Sequence, residues 1–187
     1  MLRAIIQPAA HDDVRLTFDD GNASDVVHAL PALRDRGLTA TFFVVAARVG
    51  EPGFLDADDI GRLRDAGMTI GSHGMRHRPW RRLGASELHE ELVDARRMLE
   101  DIVGTRVTEA ACPFGSYDRA ALRTLRGAGY RRVYTSDRGS ARHDDWIQAR
   151  NTVGADDDAS LVTRLLAAER PAPRRLRTLK QVAKRWR

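Results

Sequence analysis

Strand and helix signals alternate along this chain with only a few residues between them, and no other feature limits its fold as much. Val14–Phe18 reads as a strand, and Ser24 caps a helical segment through Arg36 that Gly37 closes. Thr39–Val45 is β-branched and aromatic, the pattern of a buried strand. A helix capped by Asp56 or Asp58 ends near Gly67, and Met68–Gly71 is a short strand. Ser86 opens the longest helix, with Leu88, Leu92, Ala95, Leu99 and Val103 on one stripe and Gly104 as its stop. Val107–Cys112 and Arg132–Thr135 are strands around a helix from Tyr117 to Gly129. A further strand covers Ile147–Thr152, and Asp156–Asp158 cap a last helix through Ala168. Such alternation predicts an α/β fold: a parallel sheet with helices outside it.

In folds of this kind the chemistry sits at the carboxyl ends of the strands. Asp19 and Asp20 end the first strand, Ser72–His77 follow the third, Pro113–Gly115 the next and Ser136–Asp137 the one after. All four polar groups are therefore expected on one rim. No internal repeat or low-complexity linker interrupts the pattern.

Composition narrows the function classes. The single cysteine, Cys112, excludes an intramolecular disulfide, and its expected role is a small buried apolar side chain. Of the 31 basic residues only Lys180 and Lys184 are lysine. Eight of them fall between Arg170 and Arg187, where there is no acid, which leaves the first 169 residues with 23 basic against 26 acidic side chains. Residues 1–169 are thus expected to form one mildly acidic domain and 170–187 a basic tail, a balance that speaks against nucleic acid as a partner. In Arg174–Arg187, Leu176, Leu179, Ala183 and Trp186 recur at helical spacing, so the tail reads as an amphipathic helix. It would dock on its own domain, on an anionic membrane surface or on an acidic partner. Met1–Pro8 lack the apolar run of a signal peptide, which makes the expected compartment cytoplasmic, peripheral at the inner face of the membrane if the tail binds there.

The rim residues carry the chemistry. Successive carboxylates at a strand end point different ways, so one of Asp19 and Asp20 can bind a metal while the other addresses its water; a helix cap or a solvated turn is the plainer alternative. His73 and His77, four apart with Gly74 between, would share one side of a helical turn. Two histidines and a carboxylate suit Zn²⁺ first and Co²⁺, Mn²⁺, Ni²⁺ or Fe²⁺ as well. Pro113-Phe114-Gly115 makes a rigid turn, either a plain strand-to-helix connection or one whose backbone N–H near Phe114 stabilises an oxyanion. Trp80, just beyond His77, is either a stacking surface beside the rim or a packing residue. No serine or cysteine motif for acyl-enzyme chemistry is present.

In this order the pieces resemble the NodB-homology polysaccharide deacetylases, a carbohydrate esterase family. Thr17-Phe18-Asp19-Asp20-Gly21 looks like its first motif, with Asp19 as the implied base and Asp20 as the implied metal ligand. Ser72-His73 through His77 resembles the second, implying His73 and His77 as the remaining ligands. Pro113-Phe114-Gly115 is similar to the core of the third and Thr135-Ser136-Asp137 to the fourth, which implies Asp137 as a site residue. The resemblance runs from about Val14 to Asp137 and implies a distorted, incomplete (β/α) barrel that takes an N-acetyl group from an amino sugar or glycan. Two positions depart from the pattern. The family's third motif carries an arginine that pairs with the base two residues before the proline, where this chain has Ala111. The family's C-terminal histidine, which protonates the leaving amine, has no counterpart after His143. His143, on the loop before Asp144-Asp145-Trp146, and His11 are the candidates to replace it, or Asp19 serves as base and then acid. The alternatives are a catalytically impaired glycan binder on the same fold and a hydrolase of a non-sugar amide.

Overall fold

Six short parallel strands pair in chain order: β1 (Leu16–Phe18), β2 (Ala40–Val44), β3 (Thr69–Ser72), β4 (Glu109–Ala111), β5 (Arg132–Thr135) and β6 (Ile147–Ala149). The computed structural model describes residues 14–139, 141–154 and 156–167. Helix α1 (Leu30–Arg34), continuing a π-helical turn over Asp25–Ala29, joins β1 to β2, and α2 (Ala57–Asp65) joins β2 to β3. Between β3 and β4, α3 (Ala85–His89) runs through a π-helical turn over Glu90–Asp94 into α4 (Ala95–Val103); α5 (Arg119–Gly127) joins β4 to β5, and α6 (Ala159–Ala167) follows β6. The sheet curls into a half-barrel with β1 and β6 as its edges, the distorted, incomplete (β/α) barrel that the resemblance implies.

Alternation along the strands separates two interiors. Phe18, Phe42, Ile70, Ala110 and Val133 face the helices and pack with Leu33, Ile60, Leu63, Leu92, Leu99 and Leu125; the Phe18 and Phe42 rings stack with centroids 4.8 Å apart. Each fully buried leucine or phenylalanine contributes about 1.5–3 kcal/mol of apolar burial, which holds helices too short to stand alone. On the other face Phe43, Ala111 and Tyr134 form a second cluster. Gly71 makes room for it: a Cβ there would lie 2.4 Å from Phe43 Cδ1. At the amino ends of the strands the buried Glu109 carboxylate accepts hydrogen bonds from Thr41 Oγ1 (3.2 Å), Tyr134 Oη (3.0 Å) and Arg132 (3.0 Å). A buried charge is tolerated only with such partners.

Several local expectations are corrected. β1, β2, β4 and β6 are shorter than their apolar runs, because fewer residues find a parallel partner, and β3 is shifted by one residue, while β5 covers Arg132–Thr135 as read. Ser24 makes no capping bond and is already helical; Asn22 instead donates its N–H to the Asp25 carboxylate (3.1 Å). Asp56 rather than Asp58 caps α2, accepting from Asp59 N–H (2.8 Å). The longest helix starts at Ala85, with Gly84 N–H donating to Glu87 (2.8 Å), and its apolar stripe is buried as read. The boundary at 169/170, the basic tail and His11 lie outside the described residues. No helix among the described residues is long and apolar enough to cross a membrane.

Candidate active site

Asp19 and Asp20 follow β1 directly, and Asp20 holds a left-handed backbone (φ 78°) that turns its carboxylate away from that of Asp19. The loop behind them is tied down: Asn22 Nδ2 donates to the Asp19 carbonyl (3.3 Å) and Leu55 N–H to the Gly21 carbonyl (2.9 Å). His73 comes straight off β3, its N–H donating to the Val44 carbonyl (2.8 Å). Its Nδ1 lies 2.9 Å from the Ala111 carbonyl. A carbonyl can only accept, so Nδ1 carries the proton and the Nε2 lone pair faces the rim, the tautomer a metal-binding imidazole needs. Burial pushes the His73 pKa below the ordinary histidine value, against the pull of Asp19 and the Ala111 carbonyl, which favours that neutral form.

The expected helical turn between His73 and His77 is not there. The segment is an irregular loop with positive φ at Gly74 (85°) and His77 (56°). Backbone bonding from two sides shapes it. Ala46 and Ala47 donate to the Gly74 and Met75 carbonyls (both 3.0 Å), while Met75 and Arg76 donate their N–H groups to the two oxygens of Glu91 (both 3.1 Å). Glu91 is fully buried and belongs to the π-helical turn between α3 and α4. A Cβ on Gly74 would sit 2.4 Å from Glu91 Oε2, so the carboxylate reaches the loop only because residue 74 has no side chain.

Asp20, His73 and His77 converge as a result. Asp20 Oδ1 lies 3.7 Å from His73 Nε2 and 3.2 Å from His77 Nε2, and it is buried with no hydrogen-bond partner among the described residues. The edge of a tetrahedron with metal–ligand bonds of 2.0–2.1 Å is roughly 3.3 Å, which the Asp20–His77 pair matches; all three donors lie within 4.8 Å of one another, close enough to converge on one small divalent cation. An orphaned carboxylate oxygen between two imidazole nitrogens is otherwise an expensive arrangement. The residues fit a metal.

Asp19 stands beside the triad, its Oδ2 3.9 Å from His73 Nε2. Both of its oxygens are taken by Arg150, at 2.6 and 2.8 Å, and the same guanidinium donates to Thr17 Oγ1 (2.9 Å). Burial pushes the Asp19 pKa up, but Arg150, assisted by His73 and His77, overrides this and holds the carboxyl below its usual range. At the start of the π-helical turn that follows, Asp25 is raised to about 7, first by burial and then by the charges of Asp20 and Asp19, with the Asn22 N–H opposing.

The structure places the other sequence-derived candidates as follows. Phe114 lies in the Pro113–Gly115 turn with φ 56°; the residue is 69% exposed and its ring centroid is 4.5 Å from that of His77, so the turn borders the triad. Asp137 sits after β5, where its Oδ2 accepts from Tyr117 Oη (2.8 Å) and Thr135 Oγ1 (2.9 Å). His143 is not brought to the site. Arg138 and Gly139 bond to Arg150 and Asn151 at the rim, but the chain must then return to the amino end of β6. There the Trp146 carbonyl accepts from Val133 at the start of β5, and His143 lies on an exposed turn just ahead of it. Trp80 is fully buried and packs in the core rather than lining a groove. Cys112 is buried, and His28 and His89 are exposed.

Arg150, Glu91 and Asp25 were missed. Arg150 falls inside the predicted sixth strand, and alternation alone cannot say that this strand is the edge opposite β1. Glu91 reads as a polar position on a surface helix, and nothing local marks it as buried.

The family model described as polysaccharide deacetylase matches residues 7–133 of this chain. Among relatives, a chitin deacetylase of Pestalotiopsis sp. is 32% identical over 132 residues, 70% of this chain and 44% of that protein. A chitooligosaccharide deacetylase of Bradyrhizobium sp. (strain ANU 289) is 29% identical over 160 residues, 84% of this chain and 66% of that one. The Streptococcus pyogenes deacetylase PplD, solved in complex with acetate, superimposes with a TM-score of 0.77 at 20% identity, over 86% of this chain and 72% of that one. The chain spans about half the length or less of several of the relatives it matches.

Proposed function

The chain belongs to the polysaccharide deacetylase family, and on that footing we propose that it is a metal-dependent hydrolase that removes an N-acetyl group from an amino sugar or glycan. The convergence of Asp20, His73 and His77 around one orphaned carboxylate oxygen, with Asp19 beside them, carries the reading. The chitin and chitooligosaccharide deacetylases among its relatives support the sugar substrate.

Asp20, His73 and His77 would hold the ion, Zn²⁺ or a similar first-row cation. When bound, it supplies a Lewis acid for the amide carbonyl and acidifies water. In this reading the protein's own residues move the proton and hold the oxyanion. Asp19 accepts a proton from the attacking water, whose oxygen adds to the acetamide carbon. The Phe114 N–H donates to the carbonyl oxygen as that atom gains charge. As the C–N bond breaks, Asp19 returns the proton to the departing nitrogen, leaving acetate and a free amine. We assign this double duty to Asp19, which stands beside the triad; among the described residues His28, His89 and His143 are exposed and take no part in it. Asp137, held by Tyr117 and Thr135, would line the β5 side of the substrate site.

The test is metal content together with acetate release from a panel of N-acetylated sugars. The expected result is about one ion per chain and released acetate, both lost in Asp20→Ala, with Asp19→Asn keeping the ion and losing turnover. Bound metal without acetate on every sugar would shift the reading to a glycan-binding member of the fold or to a non-sugar amide.

A further inference from the structure

We propose that Arg150 is the positioning residue for Asp19: it reaches from the end of β6 across the open side of the half-barrel to hold that carboxylate, and thereby couples closure of the sheet edge to the site. The inference rests on the proposed role of Asp19 as the base.

Three observations carry it. Arg150 follows β6 and Asp19 follows β1, the two strands that the sheet leaves unpaired with each other. The guanidinium spans that gap with bonds to both Asp19 oxygens and to Thr17 on β1 itself, while the Arg150 backbone N–H extends the ladder to the Thr135 carbonyl (2.9 Å). Its path is prepared. The guanidinium lies 5.4 Å from the Phe43 ring centroid and 5.9 Å from that of Tyr134, and the third member of their cluster is Ala111. A larger residue at 111 would compete for the space over these rings. With its side chain only 14% exposed, Arg150 is fixed by stacking as well as by hydrogen bonds. A planar fork that binds both carboxylate oxygens sets the orientation of the carboxylate, which a lysine's single ammonium cannot do.

The experiment compares wild type with Arg150→Ala, Arg150→Lys and Thr17→Val in the intact chain. Arg150 touches none of the three proposed ligands, so Arg150→Ala should keep its metal and its KM. Its kcat should fall about 100-fold, as for a misplaced reacting group. Arg150→Lys should fall between the two, and Thr17→Val should lose far less. Low-millimolar guanidinium should restore part of the Arg150→Ala rate and none of the Arg150→Lys rate. An unchanged kcat, or a loss that only follows metal loss or unfolding, would overturn the role. If the wild type releases no acetate at all, the proposed activity fails, and urea unfolding decides the tie separately. Arg150→Ala must lower the midpoint in the wild-type background and hardly change it in Asp19→Ala. Equal shifts in both backgrounds would refute the coupling.

Discussion

Replacing Glu91 by glutamine tests whether the loop bearing His77 is shaped by one buried carboxylate. Glu91 is fully buried, and its two oxygens separately accept the Met75 and Arg76 N–H groups at 3.1 Å. Hydrogen bonds to a charged group contribute about 1.5–3 kcal/mol each, so the pair holds the loop by about 3–6 kcal/mol. Glutamine keeps one acceptor and turns an NH₂ toward the other N–H. One bond is lost and two donors face each other, so the expected cost is about 2–3 kcal/mol out of a typical total of 5–15. Because His77 sits at φ 56° directly after this segment, the same change should weaken the ion site. A lost outer-shell contact typically lowers metal affinity about 10–100-fold. Urea unfolding of the metal-free protein measures the first effect, and competition with a chromogenic chelator the second. If Glu91→Gln loses stability yet binds the metal as wild type does, the loop is not what places His77. If it loses neither, the carboxylate has no structural role there.

Other perturbations have equally definite outcomes. Asp25 has a pKa raised from 3.8 to about 7, so its burial is tolerated below about pH 4, where it is protonated in both states, and becomes a penalty that grows as pH rises from there and levels off above about 7. A shift of that size corresponds to at most about 4 kcal/mol, and metal-free Asp25→Asn should gain stability over wild type between pH 5 and 8 but not below pH 4. Parallel pH profiles of Tm for the two proteins would contradict this. Gly71→Ala brings a Cβ to 2.4 Å from the Phe43 ring and should cost about 1–3 kcal/mol by overpacking, read as a lowered Tm. Gly74→Ala should weaken metal binding as Glu91→Gln does, since its Cβ would displace the Glu91 carboxylate from a backbone at φ 85°; unchanged affinity would separate the two residues.

Local chemistry made much of this protein legible in its sequence. The β-branched and aromatic run Thr39–Val45 marks a strand buried on both faces, and the stripe from Leu88 to Val103 marks the buried face of a helix, because burial follows from local composition and side-chain spacing. Once strands and helices alternate, a parallel sheet with its functional groups on the carboxyl rim follows, and Asp19, Asp20, His73 and His77 fall on that rim by position alone. What the tertiary structure decided depends on pairs far apart in the chain. Arg150 meets Asp19 only because the sheet curls until its first and last strands approach each other. Glu91 meets the 75–76 amides only because a π-helical turn directs it inward, and Gly74 leaves the space it enters. His143 was misplaced for the converse reason: six positions from Asp137 in sequence, it is carried to the far end of the sheet by a strand that must begin there. Spacing along the chain encodes faces and ends of elements, whereas a hydrogen bond across the barrel depends on how those elements are assembled.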